Sequence, residues 1–160
     1  MDPGLSRCGY GAVRSVGGRL EVVAYGHLTT PPGEELASRL AGLWADLEEL
    51  LDELRPDAVV VERVLFQVNA RTAMSVGQAS GLALAAAARR GVPVAQYSPN
   101  EVKLAVTGYG SAGKEQVQSM VAMLLGLEES PRPADRADAL ALAITHLSGA
   151  GLRRAAGAGR

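Results

Sequence analysis

The chain has 160 residues, 48% hydrophobic and 21% charged, with a formal net charge of −1. That is the composition of one ordinary globular domain, long enough to bury a full core, and it excludes a disordered or fibrous chain. The longest purely apolar stretch, LALAAAA at 82–88, is far shorter than the roughly 20 residues a membrane-spanning helix needs, and no charged-then-apolar leader opens the chain.

In chain order, GYGAVRSVGGRLEVVAYGHLTT alternates β-branched and aromatic residues with others, which predicts strands over about 9–16 and 20–29 in a hairpin turning at Gly17 and Gly18. Next, Leu36, Leu40, Leu43, Leu47, Leu50, Leu51 and Leu54 recur at helical spacing among acidic residues, and Pro56 closes an amphipathic helix of about five turns. DAVVVERVLF is a short, nearly continuous apolar run, as in a parallel strand covered on both faces. A small-residue helix spans 71–90, with Gly77 and Gly81 inside it and Gly91 as its C-cap. GVPVAQY predicts another strand. SPNE then opens a short helix to about Val106, with Ser98 as cap, Pro99 in the first turn and Glu101 completing a capping box. A glycine-rich loop at 108–113, a helix over 114–125, a proline-containing loop and a last helix from 135 follow. Residues 1–150 therefore read as one α/β domain with a mixed central sheet flanked by helices, and residues 151–160 as a flexible tail.

Charge is divided along the chain. Residues 1–62 hold 5 Lys/Arg against 11 Asp/Glu (−6), and residues 63–160 hold 11 against 6 (+5). A basic patch able to meet phosphate is compatible with a total near zero. The single cysteine, Cys8, excludes an internal disulfide, and the reading is a cytoplasmic protein. No Cys/His pattern has zinc-ligand spacing, so His27 and His146 read as ordinary side chains.

GYGSAGKE, residues 108–115, imitates two nucleotide-binding patterns. Both require a strand running directly into the helix, whereas here the capped segment 98–106 intervenes. Glu115 also stands where a phosphate loop needs a hydroxyl for magnesium. A glycine loop carrying Lys114 still suits contact with a DNA backbone.

The carboxylates carry more. Asp135 and Asp138 lie one turn apart on one face of the last helix, where the ordinary role of Asp is to cap free N–H groups and meet the helix dipole. Glu62 ends an apolar strand, either simply exposed there or buried with a partner, and α/β sheets place functional groups at such ends. Asp2 begins a turn-like Asp-Pro-Gly sequence. A joint account of the three places is a carboxylate site for hard divalent cations, which also relieve the repulsion among clustered acids.

DPGLSRCGYG, VVVERVLFQVNARTAMSVGQASG, SPNEVKLAVTGYGSAGKEQVQSMV and PADRADALALAITH, in this order over about residues 2 to 147, resemble the bacterial RuvC family of Holliday junction resolvases. The resemblance implies a ribonuclease H-like fold acting as a homodimer that makes paired nicks in four-way DNA junctions, with two Mg²⁺ or Mn²⁺ per site and a RuvA–RuvB branch-migration motor as partner. Asp2, Glu62, Asp135 and Asp138 match its metal-binding catalytic acids. Lys103, Lys114 and Arg71 then become contacts to DNA. The small-residue helix is similar to the one packed in the dimer.

Two departures from the family pattern stand out. Relatives have a short apolar strand before the Asp-Pro-Gly turn, whereas only Met1 precedes Asp2. The expectation is an Asp2 that frays, which keeps open a junction-binding module with weak catalysis. Leu65 occupies a position where relatives often carry an aromatic residue stacked on an unpaired base, and Phe66 is the substitute. A sugar-kinase-like or actin-like ATPase fragment ranks last, because its two nucleotide-clasping domains need a longer chain.

Overall fold

Two glycines set the first turn. Gly17 and Gly18 have φ of +58° and +82°, the consecutive left-handed positions that a tight hairpin with right-twisted strands demands. They join β1 (Arg7–Val16) to β2 (Arg19–Thr29), antiparallel, in a register running from Arg7 opposite Thr29 to Val16 opposite Arg19. An irregularity after Ala12 leaves Val23 outside the ladder, a bulge that increases the local twist. The computed structural model describes residues 1–63 and 70–157, the side chains of 70–72 and 150–157 excepted.

β3 (Val59–Glu62) pairs in parallel with β4 (Val94–Tyr97), with Glu62 opposite Tyr97. The two strand pairs are joined by Met1 and Asp2. Asp2 and Gly9 exchange backbone N–H···O bonds of 2.9 Å each. On the other side the Met1 nitrogen donates to the Val60 carbonyl, and the Glu62 N–H donates to the Met1 carbonyl at 3.1 Å. One mixed layer results, in the order β2, β1, residues 1–2, β3, β4. The expectation that Asp2 frays is therefore corrected: backbone bonds tie Asp2 to Gly9 and its neighbour Met1 to β3.

Alternation along β3 distributes the helices. Val59 and Val61 face α1 (Leu36–Leu54) and α2 (Ala70–Arg89), meeting Leu43, Leu47, Ala83 and Ala87. Val60 faces the opposite way, into a second core with α3 (Pro99–Thr107), α4 (Lys114–Leu125) and α5 (Ala134–Gly157). With side chains alternating at period two, Glu62 follows Val60 onto the α5 side. Within α1, Leu43, Leu47 and Leu51 are buried, whereas Leu36 in the first turn is 45% exposed. The α3 capping box forms as read: Ser98 Oγ accepts from Glu101 N, and Glu101 Oε2 accepts from Ser98 N at 2.7 Å. α5 continues through Gly157, so the backbone is helical in most of the segment read as a tail. No described helix is long and apolar enough to cross a membrane.

Candidate active site

Small residues on β1 decide where the acids of α5 sit. Gly9 and Gly11 face α5, and a Cβ on Gly9 would lie 2.4 Å from the Asp135 carbonyl oxygen. A Cβ on Gly11 would lie 2.8 Å from Leu140 Cδ2. Both separations are far inside van der Waals contact, so only glycine lets the helix lie this close to the strand. The first turn of α5 is thereby pressed against Gly9, whose backbone holds Asp2. Asp135 thus reaches the residues that carry Asp2.

Glu62, on the strand next to Met1 and Asp2, completes the group. It lines a cleft of about 220 Å³ together with Asp138, Lys103, Lys114, Pro99 and Val102. The sequence-predicted acids Asp2, Glu62, Asp135 and Asp138 are brought together, and Lys103 and Lys114 stand at the same cleft. Leu65 and Phe66 lie outside the described residues, and of Arg71 only its place in α2 is described.

The electrostatics of the cluster follow from burial and like charge. Burial, and then the neighbouring Asp138, raise the Asp2 carboxyl to about 6. Burial, and then Asp2 and Asp138, raise Glu62 to about 7. Both acids are thus partly protonated near neutrality, as crowded carboxylates without a sufficient counter-charge must be. Lys114 Nζ stands 3.2 Å from Asp138 Oδ2. Arg7 Nε stands 3.7 Å from Asp135 Oδ2, which is buried and accepts no hydrogen bond.

This donor set fits a hard divalent cation. Carboxylate oxygens are the ligands such ions prefer, an orphaned buried oxygen gains a partner, and the cation's charge offsets the burial, and then the repulsion, that raise Asp2 and Glu62. Among the described residues no three acid, His or Cys side chains already converge as a ready ligand set. Like charges stand apart, and Lys114 and Arg7 act as their counter-ions.

The histidines make other contacts. Arg136 Nε donates to His27 Nδ1 at 3.2 Å, and Tyr97 Oη lies 3.1 Å from His146 Nδ1. Arg7 was not singled out from the sequence. Its signal was its place in DPGLSRCGYG, but only the docking of α5 brings it to Asp135.

The family described as crossover junction endodeoxyribonuclease RuvC matches residues 1–146. The chain belongs to the RuvC family. A RuvC of Salinispora arenicola is 54% identical over 154 residues, covering 96% of this chain and 88% of its own, and a RuvC of Moorella thermoacetica is 51% identical over 148 residues, covering 92% and 89%. Among solved structures, Thermus thermophilus RuvC in complex with Holliday junction substrate is similar at 41% identity, with a TM-score of 0.87 over 93% of this chain and 91% of that one. The fold is accordingly the ribonuclease H-like fold of RuvC, and the family is one of divalent-metal-dependent nucleases.

Proposed function

We propose that this chain is a crossover junction endonuclease that resolves four-way DNA junctions by paired nicks in recombination and repair. The observation that carries the reading is that Asp2, Glu62, Asp135 and Asp138, from three distant parts of the chain, lie within electrostatic reach of one another, with Glu62 and Asp138 lining a cleft that also bears Lys103 and Lys114. Residues 1–150 are read as the nuclease domain, with α5 running on past that bound to Gly157. The four acids would hold Mg²⁺ or Mn²⁺, two per site. When bound, such ions supply the Lewis acidity that activates water and stabilises the leaving oxygen.

The chain's own residues do the rest. Glu62 and Asp2, once deprotonated, would offer carboxylate ligands from the sheet, and Asp135 and Asp138 would offer theirs from the helix. Lys114 and Lys103 neutralise DNA phosphates at the cleft, positioning the strand without reading its bases. Arg71 adds a phosphate contact, and Leu65 or Phe66 contacts the crossover, Phe66 having the aromatic face that stacking on a base requires. Attack by water on the scissile phosphorus forms a new P–O bond and breaks the P–O3′ bond, leaving a 5′-phosphate and, once O3′ takes up a proton, a 3′-hydroxyl. Two copies acting as a homodimer supply the paired cuts, with a RuvA–RuvB motor as the loading partner in the cytoplasm. The alternative of a junction-binding module with weak catalysis rested on a fraying Asp2, and nothing in the backbone hydrogen bonding favours it.

The test uses a labelled four-way junction and a linear duplex, each with and without Mg²⁺. Paired, metal-dependent nicks confined to the junction are expected. Asp2→Asn, Glu62→Gln and Asp138→Asn should each abolish nicking and leave junction binding intact. Loss of binding in all three, or equal cutting of the duplex, would refute the assignment.

A further inference from the structure

Arg7 is a cation at the acidic site with most of its hydrogen-bonding capacity uncommitted. Its side chain is 54% exposed, whereas that of its partner Asp135 is 14% exposed. The 3.7 Å between Arg7 Nε and Asp135 Oδ2 is an electrostatic contact, too long for a hydrogen bond. Some other arginines are hydrogen-bonded, as Arg39 is to Thr30 and Ser6, Arg90 to Glu48 and Asp52, and Arg136 to His27; what sets Arg7 apart is its place beside an acid of the site. A guanidinium offers a planar fork of five donors, a shape suited to two oxygens of one phosphate. Along α5 the acids Asp135 and Asp138 are matched by different cations, Arg7 on β1 and Lys114 on α4, so positive charge flanks the acidic pair from two elements.

We propose that Arg7 is a DNA-positioning residue that exchanges partners. In the free protein it is the counter-ion of Asp135. When a divalent cation neutralises Asp135, the guanidinium turns to a backbone phosphate of the strand being cut. No covalent step is involved, and Arg7 stays protonated throughout. The inference rests on the junction-nuclease reading and adds to it a cation from β1.

The experiment measures equilibrium binding of a labelled four-way junction by the full chain and by Arg7→Gln across a series of salt concentrations, once with EDTA and once with Ca²⁺ as the divalent probe. With Ca²⁺, Arg7→Gln should bind about tenfold more weakly, and its log K against log [salt] slope should be shallower by about 0.9, one phosphate contact. With EDTA the two proteins should differ much less, because Arg7 is then held by Asp135. Arg7→Lys, which keeps the charge, should recover the slope and serves if Arg7→Gln fails to fold. Equal affinities and slopes in Ca²⁺ overturn the proposal, and so does an equal loss in both media, which denies the exchange. Failure of the unmodified chain to bind the junction at all would instead strike the functional reading beneath it.

Discussion

Gly9 and Asp135 form the tightest junction between strand and helix at the site: a single added methyl on Gly9 would press on the Asp135 carbonyl from 2.4 Å. Backbone cannot swing aside as a side chain can, so Gly9→Ala should push the first turn of α5 away from β1. The expected stability loss is about 1–3 kcal/mol, the usual cost of overpacking, measured by urea unfolding. Nicking should fall far more than stability does, by about 100-fold, because catalytic groups displaced by roughly 1 Å lose alignment. Full activity in Gly9→Ala would show that the acids do not depend on this contact.

The raised acids tie stability to pH. Glu62 titrates near 7 and Asp2 near 6, against ordinary values of 4.5 and 3.8. A folded state with raised carboxyl values binds more protons than the unfolded chain in the interval between them. The stability these groups contribute is present below the ordinary values and is lost as pH rises through 6 and then 7. Without divalent cation, Glu62→Gln should therefore gain on the unmodified protein between about pH 5 and pH 8. The difference should be about 1–2 kcal/mol, reduced by the partial exposure of the cleft. Cation affinity should weaken as pH falls through the same interval, since protons and cation compete for the same oxygens. Urea unfolding across pH checks the first and isothermal titration of the cation the second; an affinity flat over that range would contradict the proposed ligands.

The cap at Ser98 positions α3, which carries Lys103. Ser98→Ala removes the acceptor for the Glu101 N–H, and Glu101→Ala removes the return bond to Ser98 N. Each change should cost about 0.5–2 kcal/mol in denaturant unfolding. The double variant should cost less than the sum, since the two bonds form one reciprocal motif. Additive losses would mean the box does not act as a unit.

Tyr97 links β4 to α5 through its hydroxyl and His146 Nδ1. Tyr97→Phe keeps the ring and deletes the bond, with an expected loss of about 0.5–1.5 kcal/mol by thermal or chemical unfolding. Its nicking should keep the same dependence on divalent cation, because no acid is touched.

Legibility in the sequence followed the range of the interaction. The Gly17–Gly18 turn, the α3 capping box and the leucine face of α1 are set by neighbours a few positions apart, and each could be read directly. The side of the sheet on which Glu62 lies follows from counting alternate residues after Val59. What escaped was set by contacts across the fold. Gly9 and Gly11 read as ordinary strand glycines until α5 lay on them, and Asp2 looked unsupported because its backbone partners are Gly9 and, through Met1, the distant β3. Arg7 gained its meaning only when the first strand and the last helix met.

Chain order gives the site a consequence during synthesis. Asp2 leaves the ribosome before Glu62, and Asp135 and Asp138 arrive with α5, the last of the described elements. Until α5 seats on β1, the acids are scattered over separate stretches of polypeptide. A growing chain that has not yet made α5 carries only part of the acid set, so the four acids come together only once α5 has been synthesised and has seated on β1.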